Sequence, residues 1–225
     1  MTVNRLDINF SPKTAPLEHQ IEAINFIRTH QEVPLFDEQG LGKTKMVIDA
    51  LCENIRDGVI DGSIIICKKT LIETWKKEIL KHSNLLPVVL LGSRNQRGRS
   101  LLTLGHFYIT NYESINSEIE LLKLLMNNKK IALVLDESHR IKNPSSLATQ
   151  LIFQLRKRSE KRIIISGTPI ANRVEDIWSQ FYFLDGGKLL GTDFEAFKKQ
   201  YNFDLSKNVT EYREKLDALN NIIDS

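Results

Sequence analysis

The sequence predicts an α/β fold, an open and mostly parallel sheet with helices on both faces. Three observations carry this. Short runs such as Ile64, Ile65, Ile66 and Cys67, or residues 131–135, are apolar at every position, as strands buried on both faces are. Between them lie stretches whose apolar residues recur every three or four positions, the spacing of a helix with one buried side. The two kinds alternate along the chain, which is the order that βα units produce.

In order, residues 1–15 are polar, contain Pro12 and read as a lead-in. Leu17, Ile21, Ile24 and Ile27 then recur at helical spacing, which puts His19 and Gln20 at a helix start. Val33, Leu35 and Phe36 form an apolar lead into a turn with Gly40 and Gly42, and a helix follows to about Ile55. After turns at 56–58 and 61–62 come a buried strand at 64–67 and a helix through Leu71, Trp75 and Ile79, with His82 on the same stripe. Residues 87–91 read as a strand closed by Gly92, and 93–100 as a basic polar segment with Arg94, Arg97 and Arg99. A strand at 107–110, a leucine-rich helix at 115–126 and a third apolar strand at 131–135 lead to Asp136 and Glu137. A helix at 148–155 and a strand at 163–165 close the pattern. From about Asp185 the composition changes to glycines and then aromatic and basic residues, so 1–184 is expected as the sheet domain and 185–225 as a small helical appendage or linker.

The 225 residues suit one large domain or one with an appendage, and 41% apolar content suffices for a core. A net charge of +3 permits nucleic-acid contact without requiring it. Cys52 and Cys67 stand in apolar surroundings without a metal-ligand pattern and read as buried thiols. The opening MTVNRLDINF lacks the apolar centre of a signal peptide, and no apolar run approaches about 18 residues. A soluble intracellular protein, cytoplasmic, nuclear or nucleoid-associated and with no membrane partner, is therefore expected.

Ligands of open α/β sheets bind at the carboxyl ends of the strands. The loops there are 37–44, 68–70, 111–113, 136–139 and 166–169. The first holds Asp37, Glu38, Gln39, Gly40, Leu41, Gly42, Lys43 and Thr44. Glycines at a strand-to-helix turn let backbone amides surround phosphate, a lysine reaches the β- and γ-phosphates, and a threonine hydroxyl ligates magnesium. Asp37 stands where the strict phosphate-loop pattern has its first glycine. The paired carboxylates of Asp136 and Glu137 follow a buried strand, where one can hold magnesium and the other orient a water.

These segments resemble the first RecA-like lobe of the Swi/Snf-type ATPases of helicase superfamily two. DEQGLGKT resembles motif I, ICKKTLIETWKKE motif Ia, ITNYESI motif Ib, DESHRIKN motif II and SGTPIAN motif III. LEHQ stands where the family has an adenine-reading glutamine, and FYFLDGGKLLG resembles the segment that closes this lobe. The pattern departs at Lys68, usually proline, at Gln39, usually methionine, and at Ala171, often glutamine.

The resemblance implies ATP and Mg2+ as cofactors. It gives Lys43 the phosphates, Thr44 and Asp136 the metal, Glu137 the water and Gln20 the adenine. It makes His139 the link to Ser166, Gly167 and Thr168, and Lys69, Thr70, Asn111, Tyr112 and Lys142 contacts to nucleic-acid backbone. The expected partners are duplex DNA, held without sequence preference, and a second RecA-like lobe, because nothing after Pro169 resembles motifs IV to VI. The expected function is the ATP-binding lobe of a DNA-dependent translocase, weakly active alone. The alternatives are a non-catalytic nucleotide- or DNA-binding partner module and a lobe of a restriction or repair helicase.

Overall fold

Alternation along the buried strands builds the fold. The computed structural model describes residues 12–36, 40–167 and 174–201. Six strands form one sheet: β1 (Glu32–Leu35), β2 (Gly62–Cys67), β3 (Pro87–Val89), β4 (Phe107–Asn111), β5 (Ile131–Asp136) and β6 (Lys161–Ile165). Their order is β1-β6-β5-β2-β4-β3, and every neighbouring pair is parallel. Ile64, Ile66, Leu133 and Leu135 enter one apolar layer, while Ile65, Cys67, Ala132 and Val134 enter the other. A strand with two dry faces needs apolar residues at every position, which is why β2 and β5 read as unbroken runs.

Helices cover both layers. On the first face lie α1 (Glu18–Thr29), α2 (Lys43–Arg56) and α3 (Ile72–His82), which bury Ile27, Val47, Leu51, Trp75 and Ile79. On the second lie α5 (Ile115–Asn128), α6 (Leu147–Arg156), α7 (Trp178–Asp185) and α8 (Phe194–Tyr201), with Leu122, Ile152, Phe183 and Phe197 inside. Phe197 joins the same apolar cluster as the sheet, and Phe194 lies 5.2 Å from the Trp178 ring. Residues 202–225 lie outside the described residues.

The basic segment at 93–100 is not a loop. It forms α4 (Arg94–Leu102), started by Ser93, whose hydroxyl accepts from Gln96 N at 3.4 Å while Gln96 Oε1 accepts from Ser93 N at 2.7 Å. This reciprocal cap sets a helix that has no fully buried residue and so no apolar stripe to read.

Two buried ionic groups fix elements in place. The Lys161 ammonium, at the start of β6, donates to the carbonyls of Ile27, Arg28 and His30 and so closes the C-terminus of α1. Burial pushes it down to about 8. Glu118 of α5 is fully buried, accepts from the Thr110 hydroxyl at 2.6 Å and pairs with Arg97 at 2.9 Å. Both cysteines are free and buried, and burial pushes each thiol up to about 12.

Candidate nucleotide site and basic edge

Strand register lines up the residues that carry chemistry. Leu35 of β1 pairs with Ile165 of β6, and Ile165 pairs with Asp136 of β5. Cys67 of β2 pairs with Asn111 of β4, one residue beyond the Ile66–Leu135 pair. The strands therefore end level, and their five following loops leave from one edge. β6 alone separates β1 from β5, so the first loop and Asp136 start about 10 Å apart, two strand spacings. A triphosphate and one cation bridge such a gap.

The first loop is built to meet an anion. Gly40 and Gly42 have φ of 92° and 82°, and α2 starts at Lys43 directly after Gly42. The N-cap residue, Gly42, has no side chain to cap this helix, and the first turn contains no acid that would repel an anion. A Cβ at Gly42 would stand 2.5 Å from Gln20 Nε2, which leaves glycine as the residue that fits. Asp37, Glu38 and Gln39 lie outside the described residues, as does Thr168.

Gln20 is 3% exposed, in the first turn of α1. Its amide nitrogen donates to Leu41 O at 3.1 Å, and its Oε1 accepts from Leu17 N at 3.0 Å. His19 Nε2 lies 3.3 Å from the same Leu41 oxygen. The helix start and the glycine turn are thus one unit.

Across the gap, Asp136 Oδ2 accepts from the Trp75 indole N–H at 2.7 Å, and its backbone oxygen accepts from the Tyr112 hydroxyl at 2.8 Å. Burial raises the Asp136 carboxyl, opposed by the Trp75 hydrogen bond. Glu137, next in sequence, has φ 55° and ψ 55°, a left-handed conformation. Its oxygens lie 3.3 Å from His139 Nδ1 and 3.9 Å from Lys68 Nζ. Burial lowers the His139 imidazole, and the Glu137 carboxylate opposes this. A threonine hydroxyl and a carboxylate are hard oxygen donors, the kind that suits Mg2+, so Thr44 and Asp136 fit the expected cation.

Lys69 and Thr70 are exposed on a 3-10 turn, Lys69–Leu71, between β2 and α3. The Lys142 ammonium is partly exposed, 3.8 Å from Asp176. Asn111 and Tyr112, expected at the nucleic-acid backbone, have side chains that turn inward. Asn111 is 3% exposed with its Oδ1 taken by Ser114 N at 3.0 Å, and Tyr112 is 5% exposed and bound to Asp136. The end of β4 turns directly into a 3-10 turn over the core, which draws both side chains inward. Ser166 is buried and its N–H donates to Leu35 O at 3.2 Å; Gly167 is exposed.

The sequence profile of the SNF2-related domain matches residues 19–224. The chain belongs to this family. It is 33% identical over 178 residues to the ISWI chromatin-remodeling complex ATPase ISW2 of Saccharomyces cerevisiae, covering 74% of the chain and 15% of that protein. It is 30% identical over 210 residues to the human DNA excision repair protein ERCC-6-like, covering 88% of the chain and 16% of that protein. The chain therefore spans less than a fifth of the length of these relatives. Among solved structures, the Sulfolobus solfataricus SWI2/SNF2 ATPase core in complex with dsDNA matches with a TM-score of 0.78 and 26% identity. That match covers 93% of this chain and 43% of the other.

Within this SNF2-related lobe, the sequence reading did not place four residues at the site. Trp75 and Lys68, noted only within motif Ia, reach toward the two carboxylates from α3 and the β2–α3 connection. Ser138 donates to Gln180 Oε1 at 2.6 Å, and Gln180 Nε2 donates to Asp176 O at 3.1 Å, which joins the carboxylate loop to α7. Only Trp75 carried a signal, a polar N–H within an apolar helical stripe.

Proposed function

We propose that this chain is the ATP-binding lobe of a DNA-dependent ATPase that moves along duplex DNA together with a second RecA-like lobe. The observation that supports this most is the level edge, where a glycine turn at a helix start and paired carboxylates flank β6. Lys43 neutralises the β- and γ-phosphates, and Thr44 and Asp136 hold the cation. Magnesium, when bound, draws charge from the phosphate oxygens. Glu137 accepts a hydrogen bond from the attacking water, whose oxygen bonds to the γ-phosphorus as the β–γ bridge breaks, giving ADP and phosphate. Gln20 holds the glycine turn through Leu41 and borders the adenine position. His139 steadies Glu137 and relays the state of the site toward Ser166, Gly167 and Thr168. Lys69, Thr70 and Lys142 meet the phosphate backbone of DNA, which makes binding independent of sequence. Such work belongs inside the cell, in cytoplasm, nucleus or nucleoid.

The test is calorimetric titration of the chain with ATP and Mg2+, beside Lys43→Ala. Hydrogen bonds to charged groups contribute on the order of 1.5–3 kcal/mol, so the variant should bind roughly ten- to a hundredfold more weakly while keeping its circular dichroism. Equal affinity in the two proteins would remove the phosphate-loop assignment.

A further inference from the structure

Trp75 stands out because its burial does not explain its identity. It is 2% exposed on α3 and packs among Ile72, Ile79 and the apolar layer under the sheet. A phenylalanine or leucine would serve that packing. The indole alone adds an N–H, and that N–H is spent on a carboxylate oxygen, Asp136 Oδ2, at 2.7 Å. Trp75 and Asp136 are 61 positions apart in sequence and belong to different elements, so this is a tertiary bond and not local capping. From the same segment, Lys68 Nζ stands 3.9 Å from Glu137 Oε1. The β2–α3 connection and α3 together therefore reach both acids of the proposed site.

We propose that Trp75 is a positioning residue for the metal carboxylate, fixing Asp136 through Oδ2 so that the acid is oriented toward the cation before it binds. This rests on the reading of Asp136 as a magnesium ligand. Partners that orient a ligand commonly account for roughly ten- to a hundredfold in metal affinity. Trp75→Phe keeps the ring and deletes the N–H. Nucleotide held by the glycine turn without metal should be unaffected, because Trp75 makes no contact with that turn among the described interactions.

The experiment uses the 225-residue chain and a fluorescent ATP analogue, titrated with MgCl2 and, separately, bound in EDTA. Trp75→Phe should need roughly tenfold more Mg2+ for half-maximal binding, with EDTA affinity unchanged. A general loss of structure would weaken both, and a folded variant with the parent's Mg2+ dependence would overturn the inference. A second measurement needs no change at position 75. The chain contains two tryptophans, so 15N-indole spectra show two N–H resonances, and Trp178→Phe assigns them. Mg2+ with the non-hydrolysable analogue should shift the Trp75 resonance in the parent and not in Asp136→Asn. An unmoved Trp75 resonance in a parent that binds Mg2+ and nucleotide would overturn the positioning role alone. A parent that binds no Mg2+-nucleotide would overturn both this inference and the proposed ATP site.

Discussion

At residue 137 the backbone adopts a conformation that side chains resist. Among the described residues Glu137 is the single non-glycine with positive φ. The left-handed region costs an L-residue about 1–2 kcal/mol, and such strain gathers at functional sites. Glycine should therefore be the more stable replacement: Glu137→Gly should exceed Glu137→Ala by about 1 kcal/mol in urea unfolding, although glycine is entropically the worse residue elsewhere. Glu137→Gln should leave Mg2+-ATP binding in place and, in a two-lobe enzyme, reduce turnover by a factor of roughly a hundred or more. Steady-state phosphate release at the parent's rate would move the catalytic role elsewhere. The positions of Lys43, Thr44 and Asp136 at the carboxyl edge were legible in the sequence because they follow from local order: strand, glycine turn, helix, or strand then acid. Asn111 and Tyr112 were not, because their burial depends on how the end of β4 folds over a core made by distant strands.

Among elements, the joint between α4, α5 and β4 depends on one ionic side chain. Burial raises the Glu118 carboxyl, opposed first by the Thr110 hydroxyl and then by Arg97. The native acid therefore keeps its proton to higher pH than the unfolded chain does. Its stabilising contribution is complete below the unfolded value, near 4.5, and is lost as pH rises through the higher folded value. Glu118→Gln has no such dependence. Relative to the parent, the variant should gain stability between pH 4.5 and pH 7.5, by about 1.4 kcal/mol for each pH unit of elevation. Urea midpoints at the two pH values check this; a constant difference would mean that Glu118 ionises normally. The same joint shows where periodicity fails. The apolar strands and the stripe of α3 are visible because burial imposes a repeat, whereas of the α1 stripe only Ile24 and Ile27 are buried and Leu17 and Ile21 are exposed. α4 lies at the margin, buries no residue fully, and is started by its Ser93–Gln96 cap and held by Arg97 on Glu118. A helix held by a cap and one ion pair leaves no repeat to find.

For the molecule as a whole, the level edge of a parallel sheet concentrates binding on one side and leaves the site open. Residues 1–225 contain a glycine turn at a helix start and two acids but no stretch resembling motifs IV to VI. In phosphoryl transfer an arginine from a partner element supplies on the order of 10³ to 10⁵ in rate. The chain by itself should bind ATP, hydrolyse it slowly and respond little to DNA; adding the second lobe in trans should restore stimulation. Strong DNA-stimulated turnover, first order in this chain alone, would contradict that. Binding to duplex DNA should weaken with salt, log affinity falling with log salt by roughly 0.9 for each phosphate neutralised by Lys69 or Lys142. A salt-independent affinity would exclude backbone contact. The inert thiols open a direct way to watch that edge. With Cys52 and Cys67 sealed in the core and unionised at ordinary pH, the protein presents a silent background to alkylating reagents. A single cysteine introduced by Thr70→Cys, on the exposed turn, should then be the one site that maleimide modifies, and DNA should slow its labelling. The molecule is in this sense ready for footprinting without removal of a native residue.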